Sequence, residues 1–355
     1  SCPLPATSAQ GAQLTNMTHG GVTRSWYTYV PPSVGASQAA VPLVVDLHGY
    51  RGCAVQYSQI TGWLSKATEF GFIVAWPQAL GELVSISGLV EDPPDPFGGE
   101  KAAAWNAGLC CRSKFGPTFT LEVDDDVDDV DFLREMVGQV VTAHPIDSTR
   151  IYFTGYSNGA MMAQRMLAQA SDMVAAAVGF AGYLMTELGS GYTPRPVMLI
   201  HGTADTTLPY DFAEGIPTLV QLSSVIGGVP PPNPGAEENL AVWSGHNGCP
   251  GAAPTVSLLG NYTLHEIDCD GIASALVELP GVGHLAYLKI PDFPYPADVN
   301  TSQAAMIDTT QLAWDFLKTA SIACPTGCVS SNARQRRRLL FATTPSNCPT
   351  GCFPA

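Results

Sequence analysis

The sequence predicts an α/β fold, a mostly parallel central sheet with helices on both faces. Three observations carry that prediction. The β-rich run Ile151–Thr154 passes through Gly155-Tyr156-Ser157-Asn158-Gly159 into the helix-forming run Ala160–Ala170, giving a strand, a tight turn and a helix. Residues 197–205 read Val-Met-Leu-Ile-His-Gly-Thr-Ala-Asp, a short apolar strand that runs into a loop ending on Asp205. Residues 275–284 read Ala-Leu-Val-Glu-Leu-Pro-Gly-Val-Gly-His, another apolar strand, broken at glycine, that delivers His284.

The remaining elements follow in order. An edge strand near Ser25–Val30 and a core strand at Val41–Leu47 lead into a helix across Val55–Phe70 and a strand at Phe72–Ala75. The stretch 80–120 is loop-rich, dense in proline and acid at Glu91–Pro96, and is expected to fold over the top of the sheet. Glu122–Asp131 holds seven carboxylates in ten residues, yet it lacks the glycine and the spacing of an EF-hand loop. Its aspartates instead open a helix, Val130–Ala143, where they offset the dipole and cap free amides, so no metal is expected. A proline-rich loop at Gly227–Gly235 precedes a helix at Glu237–His246, and Ser302–Lys318 forms a final amphipathic helix. Past residue 323 two Cys-Pro-Thr-Gly-Cys units flank Arg334-Gln335-Arg336-Arg337-Arg338. The chain therefore divides into a catalytic domain, residues 1–323, and a Cys-rich, basic tail, residues 324–355, whose arginine run is read as a solvated linker in preference to a furin-type cleavage site.

The bare Gly-x-Ser-x-Gly pattern is a weak signal in a chain with 35 glycines; strand before and helix after make it a strong one. A serine at such an elbow sits on a strained backbone with its hydroxyl projecting, above the positive end of a helix. A serine hydroxyl ionises too weakly to attack alone, so an imidazole must take its proton and a carboxylate must fix the imidazole tautomer. Asp205 and His284 supply these in the order Ser, Asp, His, which is that of α/β-hydrolases. Asp205 is preferred to Asp211, six residues on, because it lies closer to the strand end. Among the other histidines, His48 is read as shaping a turn, His201 sits just before the acid loop, and His19, His144, His246 and His265 default to surface or core packing. The turn His48-Gly49-Tyr50-Arg51-Gly52 lets a backbone amide swing toward the serine, so the amides of Tyr50 and Asn158 are the expected oxyanion donors. Trp76, Trp105 and Phe115 are candidates for an aromatic acyl pocket, with packing as the alternative role.

These segments together resemble a known family. His48-Gly49, Trp105-Asn106-Ala107-Gly108 followed by Cys110-Cys111, Asp128-Asp129-Val130-Asp131-Phe132, Arg150-Ile151-Tyr152, Gly155–Gly159 with Ala160-Met161-Met162, His201–Asp205 and Gly283-His284 are similar to the secreted esterase group of polyhydroxybutyrate depolymerases and feruloyl esterases. The resemblance implies an α/β-hydrolase fold without a large cap domain and carries the catalytic roles onto Ser157, Asp205 and His284. Bacterial members often follow the histidine with Trp-Pro-Gly, where this chain has Leu285-Ala286-Tyr287, so the rim of the substrate pocket is expected to differ.

Composition fits an extracellular protein. At 355 residues and 46% apolar content the chain can bury a large core, and no run reaches the roughly eighteen apolar residues of a membrane helix. No leader of charged and apolar regions stands at Ser1, so a secretory signal is expected to have been removed. Ten cysteines, an even number, point to an oxidising compartment and to disulfides rather than zinc. Cys249 and Cys269 are expected to pair, whereas adjacent Cys110 and Cys111 are each expected to find a distant partner, with Cys2 and Cys53 at hand. Sequons at Asn16, Asn261 and Asn300 suit a eukaryotic secretory route. A net charge of −15 argues against nucleic acid or an anionic membrane as partner.

The sequence thus reads as a secreted, extracellular, monomeric serine carboxylesterase that needs no cofactor. Its expected substrate is a feruloyl or related aryl ester of plant cell-wall polysaccharide, with polyhydroxybutyrate and other polyesters as the alternative. Acyl transfer and non-catalytic matrix binding are the less favoured readings.

Overall fold

Short apolar strands and amphipathic helices alternate along most of the chain, and burying the strands on both faces requires a layered sandwich. The computed structural model describes residues 8, 10–37, 39–81, 103–111, 113–115, 121–123, 127–211, 235–284, 307–324, 328–330 and 352–354. In chain order the elements are β1 (Gln13–His19), β2 (Val22–Tyr29), α1 (Pro32–Ser37), β3 (Val41–Leu47), α2 (Ala54–Ile60), α3 (Trp63–Phe70), β4 (Ile73–Pro77), β5 (Ser113–Phe115) and β6 (Leu121–Val123). There follow α4 (Asp129–Ala143), β7 (Ile146–Tyr156), α5 (Asn158–Gln169), β8 (Ala176–Phe180), β9 (Val197–Gly202), α6 (Ala236–His246), β10 (Thr255–Leu259), β11 (Tyr262–Cys269), β12 (Ile272–Leu279), α7 (Thr309–Leu317), β13 (Cys328–Ser330) and β14 (Cys352–Pro354).

One large sheet has the order β1-β2-β4-β3-β7-β8-β9-β12-β11-β10. Strands β4, β3, β7, β8, β9 and β12 run parallel, and an antiparallel ribbon closes each edge. The register levels the carboxyl ends: Leu47 lies opposite Gly155, Tyr156 opposite Phe180, Phe180 opposite Ile200, and His201 opposite Glu278. Loops leaving these ends share one rim, where open α/β sheets bind their ligands.

Alternation along β3 sorts the two layers. Leu43, Val45 and Leu47 face a core built with Leu133 of α4, Met161 and Met166 of α5 and Trp243 of α6. Val44 faces the other core, with Trp63 and Ala67 of α3, Trp76 of β4 and Trp314 of α7. Each such side chain contributes about 1.5–3 kcal/mol on burial.

The expected strand at Val41–Leu47 has those bounds, and the expected strands and helices at 72–75, 130–143, 151–154, 160–170, 197–205, 237–246 and 275–284 correspond to β4, α4, β7, α5, β9, α6 and β12. Three differences stand out. The single helix expected over Val55–Phe70 is two helices, because Gly62 takes φ 77° and Thr61 turns its carbonyl to the Thr310 hydroxyl. The strand near Ser25–Val30 is not the edge, since β1 pairs outside it. The alanine-rich segment around Ala176 forms β8, and β10 and β11 make an antiparallel ribbon, neither of which the sequence pattern marks.

Cys249 and Cys269 are joined, tying the turn after α6 to the end of β11. Cys110 and Cys111 are joined to each other, which corrects the expectation of two distant partners. A cis peptide between them brings the two α-carbons closer than a trans peptide allows. Cys53 and Cys324 each take part in a disulfide as well. Most of the 80–120 loop, the proline-rich loop before Gly235, Leu285–Tyr287, the Asn300 sequon, the first turn expected at Ser302 and the arginine run of the tail lie outside the described residues. Within the tail, β13 pairs with β14. No helix among the described residues is long and apolar enough to cross a membrane.

Candidate active site

The chain leaves β7 through an elbow that only small neighbours permit. Ser157 adopts φ 53° and ψ −117°, a region that costs a non-glycine residue about 1–3 kcal/mol. A β-carbon on Gly155 would stand 2.5 Å from the carbonyl carbon of Gly159, and one on Gly159 would collide with the Leu47 and His48 carbonyls at the end of β3. Both glycines are therefore fixed by close approach. The Ser157 amide donates to the Phe180 carbonyl at 2.8 Å, which ties the elbow to β8. Ser157 is also the N-cap residue of α5, without a side-chain capping hydrogen bond, and the first amides of a helix have no partner within it.

The other two residues of the expected trio meet it from β9 and β12. Nδ1 of His284 lies 2.7 Å from Oδ2 of Asp205, and Nε2 of His284 lies 3.0 Å from Oγ of Ser157. With Nδ1 protonated toward the carboxylate, Nε2 is left to accept the serine proton. The loops that carry acid and base are stitched together: Thr203 donates to the Leu279 carbonyl, Ala204 to the Val282 carbonyl, and the Gly281 amide to the Thr203 hydroxyl. The Tyr156 hydroxyl donates to the His284 carbonyl at 2.7 Å and its ring lies 5.0 Å from the imidazole. Burial raises the Tyr156 phenol far above its ordinary range, so it stays a neutral donor.

Asp205 is held on all sides. Its Oδ1 accepts from the amides of Thr207 and Leu208, each at 2.8 Å. Its Oδ2 accepts from His284 and lies 3.3 Å from Nε2 of His201. Burial by itself would push this carboxyl up, but the hydrogen bonds and charges of His201 and His284 together hold it below the usual carboxylate range. A buried carboxylate so satisfied stays ionised and fixes the imidazole.

The turn after β3 is placed against the elbow. Gly49 packs so closely that a β-carbon there would come within 3.0 Å of the Tyr156 ring, and its amide donates to the Tyr57 hydroxyl. Tyr50 follows in that turn and packs against the core on the α5 face. His48, read from sequence as a turn-shaping residue, is buried: Nδ1 donates to the Gly49 carbonyl and Nε2 accepts from the Ala79 amide. Burial pushes its pKa down to about 4, so it is neutral.

The side chain of Asn158 does something the sequence reading did not anticipate. Its Oδ1 accepts from the Trp105 amide at 2.7 Å and its Nδ2 donates to the Trp105 carbonyl at 3.0 Å. Trp105 Nε1 in turn donates to the His48 carbonyl at 2.9 Å. Trp76 donates from its indole to Asp46 at 3.1 Å. Both tryptophans are wholly buried and packed in the core. The side chain of Phe115 lies outside the described residues.

Asp129, one of the acidic run, is buried against Arg24, with Nη2 of Arg24 2.6 Å from its Oδ1, while its Oδ2 accepts from the Asn106 amide at 2.7 Å. Asp128 caps α4 by accepting from the Asp131 amide. His19 and His265 pair with Glu135 and Glu278, away from Ser157.

A mostly parallel sheet with helices on both faces and an elbow serine at its carboxyl rim defines the α/β-hydrolase fold. Its relatives with that fold are esterases. The Phospholipase/Carboxylesterase family profile matches residues 121–223. Feruloyl esterase B of Piromyces equi is 28% identical over 258 residues, covering 71% of this chain and 41% of that protein. Poly(3-hydroxyalkanoate) depolymerase C of Paucimonas lemoignei is 26% identical over 182 residues, 50% of this chain and 37% of that one. The chain thus spans less than half the length of either relative. An acetyl xylan esterase from Aspergillus awamori has the same fold, with a TM-score of 0.51 at 19% identity over 77% of this chain and 94% of that one.

Proposed function

We propose that the protein is a secreted serine carboxylesterase, and that its preferred substrates are feruloyl or related aryl esters of plant cell-wall polysaccharide. The observation that carries the reaction is the continuous relay from Asp205 through His284 to Ser157, at 2.7 and 3.0 Å, on a strained elbow. Ser157 Oγ attacks the ester carbonyl carbon while its proton passes to Nε2 of His284. The oxyanion that forms is held by the backbone amides of Asn158 and Tyr50. Collapse breaks the bond to the alcohol oxygen, which leaves with the proton from His284. Water then attacks the acyl-enzyme, giving its proton to His284, and the acid departs as Ser157 regains a proton.

The names of the relatives support the ester class and favour plant polysaccharide, with polyester as the competing reading. The same proposal makes residues 1–323 the catalytic domain and residues 324–355 an appendage, with the sequons at Asn16, Asn261 and Asn300 as glycan acceptors in a secreted chain.

A fluorophosphonate should label the protein at Ser157, and Ser157→Ala should lose both labelling and turnover without loss of fold. Label recovered on another serine would reject the mechanism. Methyl ferulate, short p-nitrophenyl esters, acetylated xylan and polyhydroxybutyrate film assayed side by side decide the substrate: kcat/KM highest on methyl ferulate supports the aryl-ester reading, and release of hydroxybutyrate from the film with ferulate untouched replaces it.

A further inference from the structure

His201 has no part in the relay just described, yet it lies 3.3 Å from the carboxylate at one end of it. It stands at the end of β9, wholly buried, with Nε2 2.7 Å from the Leu208 carbonyl and 3.3 Å from Oδ2 of Asp205. The oxygen it faces is the one that receives His284. Its ring stacks on Tyr183 at 5.6 Å and meets the edge of Tyr210 at 6.1 Å, so the imidazole has one orientation. A carbonyl at 2.7 Å requires hydrogen on the facing nitrogen; that hydrogen is then shared with the carboxylate.

We propose that His201 is a positioning residue that closes the Thr207-Leu208 turn around Asp205 and, by sharing its Nε2 hydrogen with Oδ2, limits how strongly Asp205 stabilises protonated His284. The inference rests on the Ser157, His284 and Asp205 reading above. A carboxylate oxygen that accepts two N–H groups spreads its charge over both, so each acceptor interaction is weaker than it would be alone. Removing the His201 donor leaves Oδ2 to His284, favours the imidazolium and raises the pH at which His284 becomes a base.

The neighbouring groups leave this effect with Asp205. Tyr183 and Tyr210 are both held neutral, their phenols raised above the ordinary range chiefly by burial. The carboxylates beyond them are Glu237, which accepts from the Tyr210 hydroxyl at 3.4 Å, Glu238, which acts on both tyrosines, and Glu278, which is paired with His265. On the His284 side stand Tyr156, neutral, and Tyr57 behind it.

The test compares pH profiles of kcat/KM for soluble p-nitrophenyl ester in three proteins. His201→Phe, which keeps the stacking and loses the donor, should lower kcat and move the acid limb upward by roughly half a pH unit or more. His201→Gln, which carries an amide N–H at similar reach, should return the limb to its original place. A limb that does not move in His201→Phe, or that moves equally in both variants, overturns the proposal and leaves His201 a packing residue. If His201→Phe does not fold, nitrogen NMR of histidine-labelled Ser157→Ala decides: His201 must carry its hydrogen on Nε2 while His284 titrates, and hydrogen on Nδ1 alone refutes the sharing. Failure of the underlying reading looks different, because Ser157→Ala would then keep turnover.

Discussion

Ser157 is nearly buried and held in a strained conformation, and the strain is tolerated because Gly155 and Gly159 leave room for the close approach of the neighbouring backbone. Gly159→Ala should therefore be among the most damaging single changes in the chain: its methyl group meets the Leu47 and His48 carbonyls, so a loss of at least about 3 kcal/mol is expected, read from urea unfolding or from insolubility. His48 gives a pH-dependent prediction. Its folded pKa of about 4 lies below the usual histidine value, so the unfolded chain binds the proton first. Its contribution is complete above about pH 6.5 and is lost as pH falls toward 4, a change of about 3 kcal/mol. His48→Gln should flatten that part of the stability profile between pH 7 and 4; an unchanged slope would mean that other groups carry it. That Ser157, Asp205 and His284 meet was legible because each follows closely on a strand end, at Tyr156, Gly202 and Leu279. His201 was not, for its spacing of four residues from Asp205 along one turn says nothing about which oxygen its ring faces.

At the scale of elements, the segment 103–111 has no regular structure and yet is among the best anchored parts of the rim. Asn158 holds Trp105 by both backbone groups, Asp129 holds the Asn106 amide, and Arg165 donates to the Asn106 carbonyl. The Arg24–Asp129 pair beneath it is buried and joins β2 to α4, with the guanidinium 3.7 Å above the Phe132 ring. Arg24→Met should cost about 3–5 kcal/mol because it strands a buried carboxylate. The double variant Arg24→Met, Asp129→Asn should be less destabilised than the single one; equal or greater loss in urea titrations would show that the charge of Asp129 is compensated elsewhere. Sequence patterns find elements by period, and they fail where period is ambiguous. Ala176–Phe180 is a strand of small residues that no β-branched pattern marks, and the break at Gly62 is a left-handed residue inside an otherwise helical run. The aspartates of α4 were read as caps, which Asp128 is; the partner of Asp129 lies 105 residues away and leaves no local trace.

For the whole molecule, the order of strands and the order of site residues tell one story: β7, β9 and β12 each end at the same rim, and only their sheet positions bring Ser157, Asp205 and His284 together. The layered fold was legible because its parallel strands are apolar runs, whereas the edge ribbon β10–β11 was not, its strands being half exposed and mixed in pattern. A chain ending at Ala323 is expected to fold and to hydrolyse p-nitrophenyl acetate as the full chain does, with any deficit confined to polymer; loss of activity on the small ester would place the tail inside the catalytic unit. The separation of the site residues along the chain also bears on how the protein comes to be active. Ser157 and His284 are 127 residues apart, and their meeting requires β8, β9 and β12 to have added to the sheet in turn. Closing so long a loop is slow compared with forming the helix that carries the serine. During refolding from denaturant, helical circular dichroism should return first and fluorophosphonate reactivity last, which would make Ser157 a built-in clock for the final pairing of the sheet.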